Sequence, residues 1–158
     1  MKYTTLPNTD IKVSKICLGT MTYGQQNSEA EGHAQMNYAL DKGVNFFDTA
    51  EMYSIPGKQE TYGSTEKIIG TWLKKTGKRE EIVLASKIAG PSPIFGYMRE
   101  KLDFSAKSIQ YALDHSLQRL QTDYLDLYQL HWPERKTNYF GQRGYKVQDD
   151  AWEDNIHE

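Results

Sequence analysis

Two rhythms of apolar and polar positions alternate along this chain. Short apolar runs read as strands, and between them apolar residues recur every third or fourth position, as on one face of a helix. The opening "KYTTLPNTDIKVSKICLGT" predicts two short extended pieces around the turn "PNTD", then a strand at Ile16–Leu18. In "NSEAEGHAQMNYALDKG" Ser28 can accept from first-turn amides while Glu31 reaches back to it, and Gly43 follows as a stop, so a helix is predicted from Ser28 to Lys42. "VNFFD" is the second strand. "GSTEKIIGTWLKKTG" is a second helix, with Ser64 as its cap, Ile68, Ile69, Trp72 and Leu73 on one face, and Gly77 at its end. "EIVLASK" is the third strand, and a Pro- and Gly-containing loop over 88–103 follows. A third helix starts near Ser105 and carries Ile109, Ala112, Leu113, Leu117 and Leu120 at amphipathic spacing. "YLDLYQLHW" is the fourth strand, and residues 133–158 are polar and aperiodic, a loop or tail.

This order predicts a single α/β domain over 1–158: a hairpin over 1–15, then four strands and three helices over 16–132. Short strands alternating with helices argue for parallel βαβ units. Doubly wound sheets and (β/α)8 barrels both begin in this way. A dinucleotide-binding first turn calls for G-x-G-x-x-G, and the turn here reads "GTMTYG", which favours the barrel.

Composition narrows the field. A net charge of −2 leaves no electrostatic footprint for nucleic acid or an anionic membrane. Cys17 is the only cysteine and lies in the apolar run "KICLGT", so a buried strand thiol is expected. His33, His115, His131 and His157 are too scattered for a metal centre, and none is expected. "MKYTTLPNTD" has no apolar core of a secretory leader, and no run is long enough to cross a membrane, so the expected address is cytoplasmic.

In parallel α/β folds reactive residues gather at the carboxyl ends of the strands. Those ends carry Gly19 and Thr20, then Asp48, then Lys87, then His131, with Tyr53 just beyond Asp48. A strand does not normally finish on an unpaired acid, and Lys87 is the cation that would meet Asp48. A nearby ammonium would favour the phenolate of Tyr53 and lower its pKa from about 10. A tuned phenol and a neutral His131 could then polarise a carbonyl oxygen. Singly, each group has an ordinary role: Asp48 as a turn cap, Tyr53 as one tyrosine among many, Lys87 as a strand exit, His131 as a strand-end histidine. Tyr23, Met52 and Trp132 lie near the same ends, either lining an apolar substrate wall or packing in the core.

These residues are also where a family is recognisable: the sequence resembles an aldo-keto reductase. "LGTMTYG" is similar to the family's first strand and loop, "GVNFFDTAEMY" with "YGSTEKIIGTWL" to its aspartate–tyrosine signature, "LASK" to its lysine strand, and "SLQRLQTDYLDLYQLHWP" to its histidine segment. Within the family the likeness is nearest to the bacterial Tas-type subgroup, on "LQTDYLDLYQLHWP" and "RKTNYFG". The resemblance implies a (β/α)8 barrel whose floor is closed by the hairpin, and NADPH-dependent reduction of an aldehyde or ketone without a metal. It implies Tyr53 as proton donor, Lys87 lowering its pKa, Asp48 pairing with Lys87, and His131 orienting the carbonyl. Gly19, Thr20, Met21, Gln26 and Asp48 would approach the nicotinamide end of the cofactor.

A complete barrel needs roughly 250 residues, and this chain carries the strands of an N-terminal half barrel. Its first and fourth parallel strands are expected to be bare edges, to be covered by a second half or by self-association. The alternatives to an active reductase are a non-catalytic binding or regulatory module, or an inactive fragment.

Overall fold

The computed structural model describes residues 1–134, 138 and 143–146 of the protein. The segment "RKTNYFG" therefore lies, apart from Asn138, outside the described residues, as does most of the expected tail. β1 (Tyr3–Thr5) and β2 (Lys12–Ser14) form an antiparallel hairpin. β3 (Cys17–Gly19), β4 (Phe46–Asp48), β5 (Val83–Ile88) and β6 (Leu127–Leu130) form one parallel sheet in that order, linked by α1 (Glu29–Asp41), α2 (Ser64–Thr76) and α3 (Ala106–Leu120). Four parallel strands crossed by three helices make the α/β half barrel that the sequence order predicts.

The helix boundaries follow from local chemistry. Ser28 caps α1 in a complete capping box with Glu31, and the Ser28 backbone N–H donates to the Glu31 carboxylate over 2.8 Å. Ser105 caps α3 by accepting from the Ser108 N–H. The expected Ser64 cap of α2 is corrected: the chain enters that helix through Gly63 at φ 72°, and Ser64 is its first residue. The Ser64 hydroxyl instead lies 3.0 Å from that of Ser54, in the loop carrying Tyr53. A Cβ at Gly63 would stand 2.6 Å from the Cδ of Arg119, so both the positive φ and the close approach require glycine there.

Residue alternation sends the sheet's side chains to two faces. Leu18, Phe47 and Leu84 point toward the helices and join Met36, Ile69, Trp72 and Leu120 in the principal core. Burial of each large member contributes about 1.5–3 kcal/mol. The Trp72 indole N–H, which apolar surroundings would leave unsatisfied, donates to Asn37 over 2.8 Å. The opposite face carries the register-matched rows Cys17–Phe46–Val83, Gly19–Asp48–Ala85–Leu127 and Lys87–Gln129. Cys17 is exposed, which corrects the expected buried thiol. Its neighbour Leu18 takes the core-facing place, and alternation leaves the thiol on the concave side.

The hairpin closes the amino-terminal end of this sheet. Ser14 N–H donates to the Asn45 side chain over 2.7 Å, and the Tyr3 hydroxyl donates to the Gly43 carbonyl over 2.9 Å. The fourth strand is shorter than the run "YLDLYQLHW" predicts. Asp126 turns its carboxylate back to accept from the Leu84 N–H and from Arg79, each over 2.8 Å, so a side chain fills the ladder position there.

Candidate active site

The site lies at the carboxyl ends of β4, β5 and β6. Asp48 ends β4, Lys87 is the last but one residue of β5, and His131 follows β6. Three backbone bonds beyond the strands keep those ends together: Thr49 N–H to Ala85 C=O (2.9 Å), Glu51 N–H to Lys87 C=O (3.2 Å) and His131 N–H to Ile88 C=O (3.0 Å). Sequence-distant side chains therefore meet because the sheet register continues into the loops.

Lys87 Nζ donates to Asp48 Oδ2 over 2.5 Å and to the Thr49 carbonyl over 2.8 Å. Asp48 Oδ1 accepts from the Gln129 amide over 3.2 Å, a contact the sequence reading missed because Gln129 sits inside an apolar run. Lys87 Nζ stands 5.2 Å from the centroid of the Tyr53 ring, a cation–π arrangement. The Tyr53 hydroxyl lies 3.5 Å from His131 Nε2, with the two rings edge to face. Asp48, Lys87, Tyr53 and His131 are thus brought into one cluster.

The electrostatics correct one expectation. Tyr53 is raised to about 12, first by burial and then by the Asp48 carboxylate. Burial and the Asp48 carboxylate outweigh any lowering by Lys87, whose amine is held by Asp48 and the Thr49 carbonyl. Burial, and then the Lys87 charge, lower the His131 pKa to about 4.

The remaining expected site residues divide. Met52 and Trp132 pack around Tyr53 together with Ala50, Ala89, Phe95 and Met98, and Trp132 donates to the Pro91 carbonyl over 3.0 Å. Tyr23 is placed elsewhere: it is wholly buried in the helix-side core and reaches no substrate-facing surface. Its ring contacts Gly32 of α1, where a Cβ would stand 3.1 Å from it.

Among the residues expected near a cofactor, Gly19 faces open space, with nothing within 4 Å of where a Cβ would lie, directly beside Asp48 in the register. Met21 is exposed. Thr20 is buried and donates its hydroxyl to the Asp48 carbonyl over 2.9 Å, so it fixes the strand end rather than presenting a group. The Gln26 amide donates to the Ile55 carbonyl over 3.1 Å and braces the loop beyond Tyr53. The open space at Gly19 beside Asp48 is compatible with the approach of a flat group such as a nicotinamide ring. Among the described residues, no group of three or more His, Cys, Asp or Glu side chains is placed to hold a metal ion. No helix among them is long and apolar enough to cross a membrane.

Sequence reasoning missed Glu51 and Arg99. They form an ion pair 2.8 Å long between the Tyr53 loop and the connection after β5, with 1% and 6% of the side chains exposed. Glu51 follows Asp48 by three residues, which could have marked it as a second acid at the strand end.

A half barrel with a carboxylate, an ammonium, a phenol and an imidazole clustered at its strand ends defines a (β/α)-barrel chain. Comparison with known proteins places it further. The chain belongs to the aldo/keto reductase family, which matches residues 15–154. It is 51% identical over 152 residues to Protein tas of Escherichia coli, covering 96% of this chain and 44% of that protein. It is 40% identical to the uncharacterized oxidoreductase YrpG of Bacillus subtilis, covering 97% and 44%. A solved aldo-keto reductase of Bacillus halodurans in its holo form superposes with a TM-score of 0.65 at 36% identity, over 82% of this chain and 40% of that one. The chain thus spans less than half the length of these relatives.

Proposed function

We propose that this chain carries the proton-donating site of an NADPH-dependent oxidoreductase that reduces an aldehyde or ketone to an alcohol. The observation that carries this reading is the Tyr53 hydroxyl, 3.5 Å from a His131 held neutral, beside the Lys87–Asp48 pair. Gly19, Met21 and Asp48 would hold the nicotinamide end of the cofactor, with Thr20 and Gln26 fixing the backbone around it. NADPH, when bound, supplies the hydride for the carbonyl carbon.

The chain's own residues manage the oxygen. The neutral His131 ring orients it, and Tyr53 gives it a proton. A phenol near 12 is a weak acid against a resting carbonyl. As the oxygen becomes alkoxide-like, its basicity nears that of hydroxide, whose parent water has a pKa of about 15.7. Transfer is then downhill by roughly four units, without a prior lowering of the Tyr53 pKa. Asp48 and the Thr49 carbonyl hold the Lys87 amine beside the Tyr53 ring. Met52, Phe95, Met98 and Trp132 form an apolar surround that keeps water from Tyr53 and favours a substrate with an apolar body.

A partner also belongs to this reading. β3 and β6 each pair on one side only among the described residues, and Leu130 is exposed on β6. Such edges associate unless covered, so the remaining strands of a barrel, from a second half or a second copy, complete the fold. The reading is tested by titrating the purified chain with NADPH while following tryptophan fluorescence, and by carbonyl-dependent NADPH oxidation. Saturable quenching with turnover supports it, and the absence of both signals refutes it. Light scattering checks the partner: a compact monomer argues against covered edges.

A further inference from the structure

Glu51 lies midway between Asp48 and Tyr53, and the proton transfer described above does not use it. Its carboxylate is nevertheless fully engaged. Oε1 accepts from the Ala89 N–H over 2.6 Å and from Arg99 Nη1 over 2.8 Å, and Oε2 accepts from Arg99 Nη1 over 2.9 Å. Arg99 Nη2 in turn donates to the Ala89 carbonyl over 2.9 Å, so both polar groups of Ala89 are held by the same pair. Ala89 is two residues past Lys87, and the Glu51 N–H donates to the Lys87 carbonyl. The Tyr53 loop and the lysine strand are therefore joined through one side chain and one backbone bond.

Energetics argue that this pair is not simply part of the core. Replacing a buried ion pair with apolar residues of similar volume is often neutral or stabilising. Burial works against the Glu51 charge and raises its proton affinity, while Arg99 and the Ala89 N–H oppose that effect. What the ion pair supplies, and an apolar pair would not, is direction: the planar guanidinium sends Nη1 to both Glu51 oxygens and Nη2 to the Ala89 carbonyl, which fixes angles as well as distance. Arg99 follows Met98, which packs with Phe95 against Met52, Tyr53 and Trp132. The fork thus holds the connection after β5 against the Tyr53 ring.

We propose that Glu51 and Arg99 are a positioning pair that sets the Tyr53 hydroxyl against His131. The catalytic part of this inference rests on Tyr53 being the proton donor. The molecule contains its own control. Glu66 and Arg119 form a second buried pair, 2.7 Å long with 0% and 11% of the side chains exposed, but Glu66 bonds Ser86 on the helix side of the sheet.

The experiment follows the His131 ring by NMR pH titration in the full chain, with thermal unfolding alongside, for wild type, E51Q, R99K and E66Q. R99K keeps the charge and loses the planar fork, so it serves if E51Q does not fold. Loosening of the loop should hydrate His131, moving its midpoint up by about one pH unit in E51Q and R99K. E66Q should lower the unfolding temperature and leave the His131 midpoint where it is in wild type. An unmoved midpoint in E51Q and R99K, or an equal shift in E66Q, overturns the proposal. A His131 shift confined to E51Q and R99K, in a chain that oxidises no NADPH, supports the positioning pair and refutes the reductase reading instead.

Discussion

Lys87 Nζ and Asp48 Oδ2 lie 2.5 Å apart, although 39 residues separate them, because β4 and β5 pair in parallel and both side chains leave the same face of the sheet. The bond answers why an apolar strand ends on an acid. It also holds beside Tyr53 the carboxylate whose charge adds to burial in raising the Tyr53 pKa.

The strength of that pair can be measured. Asp48 retains 27% and Lys87 13% side-chain exposure, so the coupling should fall below that of a fully buried pair. In urea unfolding, D48N and K87M should each lose about 1–2 kcal/mol, and the double variant should lose less than their sum. Strict additivity would mean that the contact contributes nothing.

His131 gives a pH dependence with a definite sign. Its ordinary value is 6.5 and its folded value is about 4. Between those limits the unfolded chain takes up a proton that the folded chain refuses. Stability should therefore rise as pH increases from about 4 to 6.5 and level off above, by at most about 3 kcal/mol at 1.36 kcal/mol per unit. Thermal unfolding of wild type and H131N across this range checks it, and the variant should show a flatter profile.

Gly70 tests the packing of α2 on α3. In a solvent-facing helix interior, Gly→Ala gains about 0.5–1 kcal/mol. Here a Cβ would stand 2.3 Å from the Arg119 carbonyl oxygen and 2.8 Å from the Leu120 carbonyl carbon, both backbone atoms. G70A should therefore destabilise the chain by about 1–3 kcal/mol, the range of overpacking. A gain in denaturant midpoint would show that the helices stand further apart.

Much of this was legible in the sequence, for physical reasons that differ between residues. Ser28 and Glu31 announced the start of α1 because a capping box is local. Asp48, Lys87 and His131 were legible because a parallel sheet sends its strand ends to one place. Glu51 with Arg99 was not, since their bond spans 48 residues and Arg99 sits in an aperiodic connection. Tyr23 stayed open between a substrate wall and the core, where it lies, because nearness to a strand end does not say which face a loop residue turns to. The Tyr53 shift was misjudged for a related reason. Spacing shows that a cation and a carboxylate are near, but not that burial of the ring outweighs the cation.

The most direct test of the central claim, that Tyr53 is the proton donor of a carbonyl-reducing site, is the rate of NADPH oxidation with a small aldehyde in wild type and Y53F. The account predicts aldehyde-dependent oxidation in wild type and a loss of about 100-fold or more in Y53F, with an unchanged unfolding temperature. Equal rates in the two proteins would contradict it.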